Sequence, residues 1–403
     1  MHVLWINEHA GFAGVGERYI HETASLLRKQ GIVSSLFFED TGAAEPFYAD
    51  PFEAGVYPLG ELGTRLGTLV PDLLFVHRCE NVHLPPLIAE SGIPSVRFFH
   101  DHRSLCPRGD RMTAIGRQPC DRPVGWGCYS CLTFPFRGQG ENGRVPLTSP
   151  GQLRRTRRAN AAVYSAFLTG SHYMADLLAL HGFDPSRIHV LPLYVPPPMR
   201  TLYLRRVERQ PDLLLFVGPL IEGRGADLLL QAVSRMQTRP RLLIHGQGPE
   251  SKNLKELAEA VGLEKRTVFA GKASGETLAR AYLQATVAVL PARSPDPFFV
   301  EGPEAMSYGT PVVASAVGGV TEWLQDGVTG LAVPPNDPFA LGRALDRLLL
   351  DETLRQRLSI TGPLFVGAHF TADRHIASLC ALFRQLTGSV TEPSVALKER
   401  IAA

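Results

Sequence analysis

Short, wholly apolar runs, each followed by a turn and a helix-spaced stretch, set the strongest constraint on this chain. Val3, Leu4, Trp5 and Ile6 form the first; the turn Gly11-Phe-Ala-Gly14-Val-Gly16 follows, and Tyr19, Thr23, Leu26 and Leu27 then recur at helical spacing before Gly31. Val33 to Phe38 completes a β-α-β unit, with further strands expected at Leu73 to Val76, Ser95 to Phe99 and Ala166 to Thr169. Helices are expected around Leu87 to Ala89, from Leu153 to Tyr164 and from Ser171, whose hydroxyl suits an N-cap. A second series runs through Leu213 to Val217, a helix near Asp227 to Met236, and strands at Leu242 to His245, Val268 to Phe269, Val287 to Leu290 and Pro311 to Ala314. Strands apolar on both faces belong to parallel sheets covered by helices. The expected fold is α/β, with two Rossmann-like, doubly wound domains. Pro192, Pro196, Pro197 and Pro198 suit a stiff linker. The expected domains are therefore 1–198 and 205–386, with a tail over 387–403.

Size and charge agree with that reading. At about 150 residues per domain, 403 residues make two or three domains. The 41 Lys and Arg against 39 Asp and Glu leave a net charge of +2, which argues against a dedicated nucleic-acid binder. No apolar run approaches the roughly 18 residues of a membrane-spanning helix. The N-terminal MHVLWINEH lacks a basic segment ahead of a long apolar core, so no signal peptide is expected and the cytoplasm is the expected compartment.

One stretch breaks the rhythm. Residues 105–149 are rich in Gly, Pro, Arg and Cys, and an insert this long needs something to staple it. It carries Cys106, Cys120, Cys128 and Cys131, four of the six cysteines. In a reducing compartment such a cluster points to metal rather than disulfides. The ligand set suits a structural zinc, or a [4Fe-4S] cluster, and leaves no place for a catalytic water. Cys79 and Cys380 read as ordinary apolar thiols.

The second half carries Phe216-Val-Gly218, His245-Gly-Gln-Gly-Pro-Glu250 and the block from Asp296 through Phe299, Glu301, Gly302, Glu304 and Gly309 to Ser315. With Val317-Gly-Gly319, Glu322, Asp326-Gly327, Gly330 and Asp337, these resemble the retaining nucleotide-sugar glycosyltransferases of family 4, which have the GT-B fold. The four-cysteine insert would mark a subgroup. The resemblance implies a nucleotide-sugar donor, a glycan, lipid-linked or small-molecule acceptor, and transfer with retention. It places Gly218, Gly246, Gly248 and Gly302 at the donor, with two cations on the diphosphate; here those positions hold Pro219 and Arg224. Of two acids with seven residues between them, Asp296 would meet the donor sugar and Glu304 the ribose. Phe299 and Glu301 stand where the family has a glycine and an apolar residue, so Glu301 is an extra acid either on a sugar hydroxyl or in solvent.

In the first domain the resemblance puts Gly14 and Gly16 on the cleft and His100 beside the donor sugar, and His100 does end a strand where open sheets bind ligands. No catalytic divalent metal is expected, since Arg224 and helix-terminal amides supply the positive charge. The run Arg154-Arg155-x-Arg157-Arg158 reads as a solvated face, or as a contact with an anionic inner-membrane surface. Two rival readings stay open: an epimerase or phosphorylase on the same scaffold, and a non-catalytic or redox-sensing protein that uses the cysteines.

Overall fold

Two parallel sheets carry the chain. The computed structural model describes residues 1–40, 44–132, 149–199 and 207–388. The first sheet comprises β1 (His2–Asn7), β2 (Val33–Phe38), β3 (Val56–Pro58), β4 (Leu73–Val76), β5 (Ser95–Phe99), β6 (Ala166–Thr169) and β7 (Ile188–Val190), in the order β3-β2-β1-β4-β5-β6-β7. The second comprises β8 (Leu213–Val217), β9 (Arg241–His245), β10 (Thr267–Gly271), β11 (Val287–Leu290), β12 (Val312–Ser315) and β13 (Leu331–Val333), in the order β10-β9-β8-β11-β12-β13. This is the doubly wound α/β architecture the apolar runs imply. Register pairs Trp5 with Leu36 on one side and Phe75 on the other, and all three are fully buried.

The strand order reverses beside β1 and β4, and again beside β8 and β11. Crevices at the carboxyl ends of such strands are where open sheets bind ligands. The Gly11–Gly16 turn follows β1, and Gly218 follows β8, so both glycine turns lie at these points. Ser171 caps the helix His172–Leu180, its hydroxyl accepting from the Met174 N–H.

Two features correct the expected layout, and the sparse structure of the insert agrees with it. Strands β3, β7 and β13, three residues each, lie outside the long apolar runs. The insert holds little regular structure: a bridge between Met112 and Pro119 and a short helix, Gly127–Leu132, while 133–148 lie outside the described residues. Finally, the expected boundary of 205–386 gives the last helix to the wrong domain. In Ala372–Thr387, the side chains of Ile376, Leu379, Cys380, Leu382 and Phe383 enter the core of the first sheet with Val3, Trp5 and Phe75. The Phe75 and Phe383 rings meet edge to face at 5.2 Å. An amphipathic face goes where apolar area is uncovered. Where the chain returns, the Phe370 carbonyl accepts from the Val195 N–H at 2.9 Å, tying it to the proline segment.

Cys79 and Cys380 are buried free thiols. Among the described residues no helix is long and apolar enough to cross a membrane. On the helix Pro150–Val163, Arg155 and Arg158 are exposed, and Arg154 and Arg157 are half-buried. The expected tail lies almost wholly outside the described residues.

Candidate active site

A cleft of about 620 Å³ opens between the two sheets' carboxyl ends. From the first lobe come Gly14 and Arg18; from the second come Gly218, Arg224, Gly246, Gly248, Glu301 and Glu304. A second cavity of about 160 Å³ shares Arg78, Arg224 and Glu301 with it, and adds Gly16, His100 and Asp296. The structure thus brings ten of the eleven expected catalytic and substrate-binding positions to one interlobe space.

The exception is Gly302. It is buried, and a Cβ there would meet the Trp323 indole at 2.3 Å, so this glycine serves packing rather than ligand contact. Gly246 and Gly248 have a similar cause: Cβ atoms would lie 1.9 Å from the Gly218 carbonyl oxygen and 2.3 Å from that of Leu220. Their absence lets the loops after β8 and β9 close on each other, leaving the Gly218 turn facing the cleft.

Arg224 is the electrostatic centre. Its Nη2 donates to Asp296 Oδ2 at 3.1 Å, Nη1 stands 3.6 Å from Glu301 Oε1, and the guanidinium lies 4.7 Å over the Phe299 ring. Burial works against its charge, but Glu301 and Asp296 more than offset this. Asp296 is fixed in turn, since its Oδ1 accepts from the N–H groups of Phe298 and Phe299 at 3.0 and 2.9 Å. Phe299 adopts φ +57°, the left-handed region that glycine occupies without cost. This explains why the resembling family has glycine there.

Glu301 does not point to bulk solvent: burial raises its carboxyl, with Arg224 opposing. Glu304 is pushed up to about 7, first by burial and also by Glu301, while Arg18 and the Tyr282 hydroxyl pull it down. Tyr282 donates to Glu304 Oε2 at 3.2 Å, and Arg18 reaches across from the first lobe to 3.6 Å from Oε1.

On the opposite wall, burial drives His100 down to about 3, with Arg78 adding to the effect, so its imidazole is neutral. Its Nε2 lies 2.7 Å from Nδ1 of His77, a buried ring stacked on Trp5. A Gly16 Cβ would lie 3.9 Å from the His100 ring, an ordinary contact. Arg78 donates to Asp101 at 2.9 Å and stands 3.7 Å from Glu17. A third cavity, about 200 Å³, extends from His100 into the first lobe past Glu8, Glu39 and Arg103. The cleft residues missed in the sequence are cationic: Arg18, Arg78 and Lys272 all line its walls. Each stands alone in the chain without a motif; only its place at a strand end or on a first helical turn hints at the role.

The four insert cysteines border one cavity of about 230 Å³. Among the described residues, however, no group of three or more His, Cys, Asp or Glu side chains that could hold a metal ion is found, so the expected centre is not shown.

Comparison with known proteins places this geometry. Residues 205–364 match the model of the glycosyl transferases group 1 family. A D-inositol 3-phosphate glycosyltransferase from Frankia alni is 33% identical over 296 residues, covering 68% of this chain and 71% of the relative. The chain belongs to that family. Other curated relatives are matched over less of their length: 39% of an uncharacterized glycosyltransferase from Methanocaldococcus jannaschii, at 35% identity over 37% of this chain. Of one D-inositol 3-phosphate glycosyltransferase, from Xylanimonas cellulosilytica, 54% is covered. The crystal structure of Anabaena HepE in complex with UDP superimposes with a TM-score of 0.71 at 17% identity, covering 96% of this chain and all of that one. At that identity the likeness establishes the fold, which is GT-B.

Proposed function

We propose that this family member transfers a sugar from a uridine diphosphate donor to a hydroxyl acceptor with retention at the anomeric carbon. The observation that carries the reading is Arg224, a half-buried cation held by Asp296 and Glu301 beside the Gly218 turn and facing His100 across the cleft. A diphosphate takes the guanidinium bidentately, and the Gly218 turn adds backbone N–H groups. Arg78 and Lys272 on the same walls offset the cation lost at Pro219. Glu304, at the helix Glu301–Ser307, accepts from the two ribose hydroxyls as a carboxylate. The uracil base is supported by the HepE structures with UDP and with UDP-glucose.

In the transfer itself, the bond from the anomeric carbon to the β-phosphate oxygen breaks with both electrons going to the phosphate. The acceptor oxygen bonds to the same face, and its proton passes to the departing phosphate oxygen. Arg224 stabilises the charge that builds on that phosphate, which is where preorganised charge contributes most. Neutral His100 orients a sugar hydroxyl and Asp296 holds another. The acceptor enters through the cavity past Glu8, Glu39 and Arg103, whose polar walls suit a hydroxyl-rich glycan or lipid-linked sugar. Exposed Arg155 and Arg158 suit contact with an anionic bilayer carrying such an acceptor.

A thermal-shift panel of UDP, GDP and ADP sugars tests the donor, because ligand bound to the native state raises its stability by mass action. UDP sugars are expected to raise the transition, and Glu304→Ala to abolish both the shift and turnover while the protein stays folded. No shift with any donor, or near-wild-type turnover in the variant, rejects the reading.

A further inference from the structure

The helix Ala372–Thr387 docks on the first sheet through Ile376, Leu379, Cys380, Leu382 and Phe383, but its buried face begins with a histidine. His375 is 3% exposed and meets two polar groups far apart in the chain. Its Nδ1 lies 2.8 Å from the carbonyl oxygen of Pro192, in the proline segment. Its Nε2 lies 2.8 Å from the Tyr19 hydroxyl, on the helix Val15–Arg28. The chemistry of the partners fixes the protons. A carbonyl only accepts, so Nδ1 carries the hydrogen and donates. Burial holds the ring down at about 4, so it is neutral, Nε2 is bare, and the Tyr19 hydroxyl donates to it.

Nothing in the packing of this core requires such a pair. A buried polar group costs free energy unless it is paired, and an apolar pair of the same shape is nearly as stable. What the pair adds is direction. Tyr19 lines the interlobe cleft. Its ring stands edge-on to His375 at 5.4 Å, with the His100 ring at 5.3 Å and the ring of Tyr194, from the proline segment, at 6.1 Å. Arg18, just before it, reaches Glu304 of the second lobe, and Gly16 adjoins the His100 ring. With its hydroxyl tied to His375, the Tyr19 ring keeps one orientation, and the His100 ring rests against it. We propose, resting on the donor reading above, that His375 is a positioning residue for the transfer. Through Tyr19 it holds His100 and the Gly14–Gly16 turn in place at the cleft, and through Pro192 it aligns that wall with the segment joining the lobes.

Four variants of the full chain are compared: Tyr19→Phe, His375→Asn, both together, and His375→Gln. UDP affinity is measured by calorimetry, and release of UDP from UDP-glucose is followed with water as the acceptor. Tyr19→Phe keeps the ring and guards against a variant that fails to fold. Asn can still donate to Pro192 but leaves Tyr19 without an acceptor, whereas Gln is long enough to place an oxygen where Nε2 stood. Tyr19→Phe and His375→Asn are each expected to lower kcat about tenfold, as small misplacements of reacting groups do, with UDP affinity within about twofold of wild type. The affinity holds because Arg224 and Glu304 lie in the other lobe. The double variant should lose no more than either single one, since both break the same link, and His375→Gln should recover part of the loss. Nitrogen NMR of the imidazoles should show one ring, absent in His375→Asn, in the Nδ1–H form. Wild-type kcat in both single variants overturns the proposal. So do losses that multiply in the double variant, UDP affinity that falls in step with kcat, or a His375 ring protonated at Nε2. A wild type that neither binds UDP nor cleaves UDP-glucose faults the donor reading instead, and the tautomer then decides alone whether His375 holds Tyr19.

Discussion

At the residue scale, Glu304 combines two demands that pull against each other. The ribose contact proposed for it requires the carboxylate, while burial favours the protonated acid and raises it to about 7. For stability the sign follows directly: the folded state holds the proton more tightly than the unfolded chain. Glu304's contribution is therefore fully present below the ordinary glutamate range and is lost as pH rises through 7. For donor binding the sign is opposite. Affinity for a UDP sugar, whose diphosphate does not titrate here, is expected to rise up to about tenfold per pH unit below 7 and to level off above it. Glu304→Gln should flatten that profile; calorimetric titrations at several pH values decide, and an equally steep profile in the variant removes Glu304 as the coupled group. Phe299 states a different conflict, between a left-handed backbone and a ring that supports Arg224. Phe299→Ala and Phe299→Gly remove the same ring, so their difference isolates the backbone. The glycine variant should be more stable than the alanine variant by about 1–2 kcal/mol in urea denaturation. Arg18 and Arg78 show why single residues elude sequence reading: each is an unremarked arginine until topology brings it against an acid from elsewhere in the chain.

At the scale of elements, the strands legible in the sequence are those buried on both faces. β4, β8 and β11 read as unbroken apolar runs, β2, β5 and β6 as apolar runs interrupted by Ser34, Ser35, Ser95, Arg97 and Thr169, and the limits of all six in the structure match the expected ones residue for residue. β3, β7 and β13 are three-residue strands at sheet edges, and edge strands need no such run. The helix Ala372–Thr387 was not singled out in the sequence, and even its apolar face could not have named its destination, since periodicity shows that a face is apolar and not what covers it. Its docking makes a sharp prediction. Phe383 is fully buried in the first lobe, so Phe383→Ala should cost about 3–5 kcal/mol. Hydrogen exchange should show the loss in strands β1 and β4, although the substituted residue lies more than 300 positions away from both in sequence. Loosening confined to the second sheet would contradict the docking.

At the scale of the molecule, the near-neutral charge conceals a cleft dense in both signs: Arg18, Arg78, Arg224 and Lys272 against Glu301, Asp296 and Glu304. The family motifs marked the second lobe's wall of this cleft because a diphosphate and a ribose demand specific groups at fixed spacing. The first lobe's wall is assembled from strand ends far apart in sequence, and only its glycine turn and His100 stood out. Among the described residues the lobes meet through ion pairs such as Arg18 with Glu304 and His172 with Glu322. Covalently they meet twice, once through the proline segment and once where the chain returns near Phe370, and a backbone hydrogen bond laces these two crossings together. A single tether would act as a swivel, free to twist as well as bend. Two laced side by side act as a door hinge: they suppress torsion and leave opening and closing as the soft motion. Motion about that line brings the same walls together, so that Arg224 would meet His100 again rather than search for it.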